Sequence, residues 1–131
     1  MRNQQNKRNR NYQVKKRGIK DDYIDKQVWV IHQAMALKLL KHPELLPQIE
    51  ATLDARKKAG RLSYSAYITW LSIIEMYDDK EAFLQGILED SPRMKRFRRE
   101  TPLVGILTED ERQAALEQDA IGVIPNINVL F

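Results

Sequence analysis

The sequence predicts an all-α protein: a compact bundle of about five to six helices, with a disordered basic arm over residues 1–20, a helical domain over 21–119 and an extended apolar tail over 120–131. Apolar side chains recur three and four residues apart through the middle of the chain, the period of a buried helix face. Helix-start signals punctuate that pattern, most densely between Ser91 and Arg112. Charge is divided along the chain. The first twenty residues hold eight lysines and arginines and no acid, whereas the rest carries fourteen bases against eighteen acids. A net charge of +4 therefore conceals a basic arm of +8 on an acidic body of −4.

Residues 1–18 are rich in asparagine, glutamine and base and nearly devoid of aliphatic side chains, so they cannot bury enough surface to offset the entropy of ordering. Arg2, Lys7, Arg8, Arg10, Lys15, Lys16 and Arg17 suit a phosphate-seeking arm that binds nucleic acid through counterion release. A solubilising tail, or one that docks on an acidic protein, explains them equally. Asp21-Asp22 is expected to cap a first helix running to about Lys41. Its Ile24, Val28, Ile31, Met35 and Leu39 form a continuous apolar stripe that reads as a core face. Trp29, Val30, Ala34, Leu37 and Leu40 widen the stripe, so cover on more than one side is expected. His32 lies among apolar neighbours and reads as an ordinary hydrogen-bonded histidine.

Pro43 and Pro47 break the period, and Pro47 suits the first position of a second helix through Lys58. Arg56, Lys57 and Lys58 complement that helix's dipole and Gly60 supplies its stop. Ser63 or Ser65 opens a third helix, whose Tyr64, Tyr67, Trp70, Leu71, Ile74 and Tyr77 read as core ahead of a stacking platform for bases. Asp78 with Glu81 predicts a capping box for a fourth helix through about Asp90, with Phe83, Leu84, Ile87 and Leu88 inward. Ser91-Pro92 opens a short, basic fifth helix, where Arg96, Arg98 and Arg99 extend the candidate phosphate surface. Thr108 with Glu111 makes a capping box for a sixth, peripheral helix to about Gln118.

Between the last two helices, Thr101-Pro102 and Gly105 interrupt the helical pattern, yet Leu103, Val104, Ile106 and Leu107 are too apolar for a solvated loop. This connector is expected to lie pressed into a core or a partner. In the tail, Ile127, Val129 and Phe131 alternate as in a strand and must also find cover, on the helices or at a partner's sheet edge.

Composition narrows the function classes. With no cysteine there is no disulfide framework, thiolate zinc site or cysteine nucleophile. The two histidines, ten residues apart, stand ~15 Å apart along a straight helix and cannot share a metal. There is no glycine-rich phosphate loop, no histidine–glutamate metal spacing and no nucleophile elbow, so neither catalysis nor a cofactor is expected. No apolar run reaches the roughly 18–20 residues that span a bilayer, so no membrane association and cytoplasmic residence are expected.

The segment Tyr67-Ile68-Thr69-Trp70-Leu71-Ser72-Ile73-Ile74, followed by Arg98-Arg99-Glu100-Thr101-Pro102-Leu103-Val104-Gly105-Ile106-Leu107-Thr108-Glu109-Asp110-Glu111-Arg112, resembles small helical bacterial proteins of toxin–antitoxin operons. In that family an aromatic Trp-Leu helix precedes a basic residue, a Ser/Thr-Pro turn, a glycine and a Leu-Ser/Thr-x-x-Glu-Arg helix start. The likeness spans residues 67–112, about a third of the chain. The usual phenylalanine after the proline is Leu103 here, and no long helix is expected beyond Arg112. The resemblance implies an antitoxin-like binding protein without catalysis, which neutralises a cognate protein, a toxin in this family. The expected partner contacts are Leu103, Val104, Ile106 and Leu107 of the connector and Ile127, Val129 and Phe131 of the tail. Two further partner classes stay open: DNA or RNA on the basic arm, and a second copy of this chain.

Overall fold

The structure, a computed structural model, describes residues 18–121. Within them the chain is all-α: α1 (Ile19–Lys41), a 3-10 turn (Pro43–Leu45), α2 (Leu46–Lys58), α3 (Tyr64–Glu75), α4 (Lys80–Leu88), α5 (Pro92–Arg99) and α6 (Glu109–Ala120). There is no strand among the described residues, and the expected strand at 127–131 falls outside them.

α1 is the axle of the bundle. It packs against α4, α5 and α6, while α2 packs on α3 and α3 on α4. Its buried residues, among them Val30, His32, Gln33, Ala36 and Leu39, point to several sides, as its breadth of apolar residues predicts. The stripe read as its core face is placed differently. Met35 and Leu39 are buried, but Ile24, Val28 and Ile31 are only half-buried, because α5 and α6 flank this side of α1 without closing over it. α6 runs antiparallel to α1: Lys38 near one end of α1 meets Glu111 at 2.7 Å, and Lys26 near the other meets Asp119 at 3.8 Å. α6 reaches Ala120 and buries Ala115.

Trp70 stands at the centre of the core, with Phe83, Leu84, Ile87, Ile49 and Leu53 all essentially without exposure. Two of the connector residues, Leu103 and Ile106, belong to the same core at 2% and 1% exposure.

Caps appear where local chemistry provides them. Ser63 accepts from Ala66 N, Ser91 from Met94 N, and Thr108 with Glu111 forms a complete capping box. Two expectations are corrected. α1 begins at Ile19 behind Gly18, so Asp21 and Asp22 lie in its first turn, where they face the positive end of the dipole instead of capping it. α4 is capped by Asp79, not Asp78, through a 3.1 Å bond from Ala82 N. It stops at Leu88, because Ser91 must be extended to cap α5 and Pro92 disfavours helix at the residue before it.

The carbonyls left at helix ends are taken by long side chains. Tyr77 donates its hydroxyl to Leu39 O at 2.6 Å, Trp29 donates Nε1–H to Leu88 O at 3.1 Å, and Arg98 donates to Ile87 O and Glu89 O, both at 2.9 Å. Arg56 clamps the connector by donating Nη1–H to Glu100 O and Thr101 O at 2.9 and 2.8 Å. Gly105 turns the connector at φ +81°, and a Cβ there would lie 3.2 Å from the Gln48 amide nitrogen. Gly60 has φ +69° with open space around it.

Removing the Arg56 guanidinium should therefore loosen the connector. Arg56→Ala is expected to lower stability by about 1–3 kcal/mol in urea unfolding, and Gly105→Ala by more than Gly60→Ala. Equal midpoints for Arg56→Ala and the parent would mean that the connector is not held from α2.

Candidate partner-binding groove

Two concavities flank the buried Arg98. One, of about 540 Å³, is lined by charges of both signs, including Asp22, Asp25, Lys26, Asp90 and Lys95. The other, of about 510 Å³, has an apolar character. One wall of this groove is the half-open stripe of α1, with Ile24, Val28, Ile31 and Met35. The opposite wall is the connector, with Leu103, Val104, Gly105 and Leu107. Thr101, Arg98, Arg99 and Arg112 complete it, and His32 lies against it from α1.

The connector shapes this groove through its alternation. Leu103 and Ile106 turn inward and are used up by the protein's own core, so they are not free to meet a partner. Val104, between them, is 51% exposed, and Leu107 is half-buried. Of the connector residues expected at a partner surface, Val104 and Leu107 are the two that retain open area.

The basic side chains expected to meet phosphate are largely spent within the molecule. Arg98 is 2% exposed and caps the carbonyl end of α4, where positive charge also suits the dipole. It does not belong to a phosphate surface. Arg99 donates Nε–H to Asp25 at 2.7 Å and lies near Asp21. Arg93 pairs with Glu89 at 3.9 Å and Lys95 with Asp90 at 3.5 Å. Arg96 is exposed beside the Phe97 ring. On α2, Arg56 serves the connector and Lys57 lies 4.2 Å over the Tyr67 ring. The aromatic helix splits in the same way: Trp70 is core, Tyr67 half-buried and Tyr64 73% exposed. Arg2, Lys7, Arg8, Arg10, Lys15, Lys16, Arg17, Ile127, Val129 and Phe131 fall outside the described residues.

His32 is 2% exposed and stacks on Trp70 at 6.2 Å. Burial brings its pKa down from 6.5 to about 4, the bond to Val28 O opposes this, and the Arg98 charge adds to the lowering. At neutral pH the ring is therefore uncharged. Because a carbonyl can only accept, Nδ1 carries the proton and donates it to Val28 O at 2.7 Å. That leaves a lone pair on Nε2, which is buried without a partner, as is the Nε–H of Arg98. Among the described residues no three histidine or carboxylate side chains gather in a way that could hold a metal ion, and no helix is long and apolar enough to cross a membrane.

The His32 geometry makes stability depend on pH. Its folded pKa lies below its unfolded one, so the unfolded chain takes up the extra proton between pH 6.5 and 4, and stability falls as pH drops through that window. The loss should be on the order of 3 kcal/mol. Glu111, held at about 2 chiefly by the bond from Lys38, adds a loss of the same sign below its ordinary 4.5. Urea titrations across this range should show the upper part of the slope flattened in His32→Gln; an unchanged slope would remove His32 as its source. No protein-family model, curated protein or solved structure matches this chain.

Proposed function

We propose that the chain is a non-enzymatic, antitoxin-like protein-binding module that neutralises a cognate protein by taking an apolar segment of it into the groove between α1 and the connector. The carrying observation is the 51% exposure of Val104 on a connector whose neighbours Leu103 and Ile106 are locked in the core. An apolar side chain is thereby held out rigidly, opposite the half-buried Ile24, Val28 and Ile31 of α1. Apolar walls already in place bind an apolar segment without a further cost of ordering the connector. The resemblance over residues 67–112 supports the antitoxin-like character, because Thr101, Gly105 and Arg112 of its motif line this groove. Nucleic-acid binding through α5 draws less support, since Arg93, Lys95, Arg98 and Arg99 all have partners within the molecule.

Purification of the tagged chain from its native host should bring down a partner in defined stoichiometry, and that partner, expressed alone, should slow growth until the chain is co-expressed. Val104→Asp, folded as judged by circular dichroism, should weaken the purified complex by about tenfold or more. Undiminished binding by both Val104→Asp and Val28→Asp would place the interface elsewhere. A partner harmless when expressed alone would refute the neutralising role.

A further inference from the structure

The groove differs in charge from the body around it. Three of its lining residues, Arg98, Arg99 and Arg112, are arginines, and none of the described residues lining it is acidic. Yet residues 21–131 together carry a net charge of −4. The three guanidinium groups differ in how far they are engaged. Arg99 is bound to Asp25. Arg112 lies at the rim, 45% exposed at its side chain, and reaches Glu109 on its own helix at 3.3 Å. Arg98 is 2% exposed, spends Nη1 on two backbone carbonyls and keeps its Nε–H without a hydrogen-bond partner. A buried donor left unmatched is costly, and a charged one more so.

Resting on the groove as the partner site, we infer that its occupant is an apolar peptide segment carrying an acidic side chain, whose carboxylate is held by Arg112 at the exposed rim while its apolar residues lie along α1 and Val104. The two halves of the recognition are physically separate. Ile24, Val28, Ile31 and Val104 supply contact area that is indifferent to charge. Arg112 supplies the discrimination, because a planar guanidinium matches a carboxylate in geometry and charge. A lining that holds arginines and, among the described residues, no acid also disfavours a basic segment, which adds specificity beyond attraction. The conformation of the connector positions both halves, since Arg98 and Arg99 end α5 just before it and Arg112 follows it in the first turn of α6.

The test uses the full chain as bait for a phage-displayed library of random twelve-residue peptides, with the Val104→Asp chain as the counter-selection. Peptides that depend on Val104 should combine apolar residues with at least one Asp or Glu. Exchanging that acid for its amide should weaken binding about tenfold or more. Arg112→Gln, a change at an exposed position outside the core, should reproduce most of that loss for the acidic peptide and leave the amide peptide unaffected. Val104-dependent apolar peptides with no acidic preference, or acidic peptides indifferent to the amide exchange, would overturn the inference while leaving the groove as a binding site. Failure to enrich any Val104-dependent peptide would overturn the groove reading and this inference with it.

Discussion

The structure depends on the burial of Leu103 and Ile106 in the core that Trp70, Phe83 and Leu53 share. Each such side chain contributes about 1.5–3 kcal/mol when fully removed from water, and together they draw the loop between α5 and α6 down onto the bundle. Polar groups of that loop find partners both on α2 and within the loop. Arg56 takes the carbonyls of Glu100 and Thr101, the Thr101 hydroxyl accepts from Leu103 N at 3.1 Å, and Gly105 supplies the backbone turn that returns Ile106 inward. With those two residues buried, Val104 between them is left exposed. The same constraint sets the end of α5 and the start of α6, and so spaces Arg98, Arg99 and Arg112 around one concavity.

Charge is deployed economically. The basic run of α5 offers one residue to a helix end, three to nearby acids and one to an aromatic ring, so that its dense positive charge is absorbed within the fold. Exposed pairs of this kind contribute little each. Arg98 is the exception, since its bond to Ile87 O is buried and its removal would leave the end of α4 unsatisfied. The neutral His32 beside it fits the same environment, in which a second positive charge is disfavoured by burial and by Arg98 together.

Much of the fold could be read in the sequence because helix periodicity and caps are local. Ser63, Ser91, Thr108 and Gly60 act at short range, and each is found in the role its neighbours imply. Where two local solutions compete, as at Asp78 and Asp79, the pattern is degenerate and the choice falls to tertiary packing. The candidate site was less readable. An apolar connector must be covered, but whether by its own core or by a partner depends on contacts more than forty residues away in sequence, such as Arg56 to Thr101. Val28 and Ile31 looked like core because periodicity reports a face and not its cover. The burial of Arg98 did have a signal: with Met94 and Phe97 it occupies positions i, i+3 and i+4 of one helix face, and those two neighbours are buried.

The central claim, a connector locked by two buried residues with an open apolar groove beside it, can be measured in the free protein. Methyl-resolved NMR with a soluble paramagnetic probe reports how closely solvent approaches each side chain. Strong broadening is expected for the methyls of Val104, Val28 and Ile24, with Leu103 and Ile106 as protected as Leu53. Broadening of Leu103 and Ile106 to the level of Val104 would contradict the account, since the loop would then be free of the core and would build no groove.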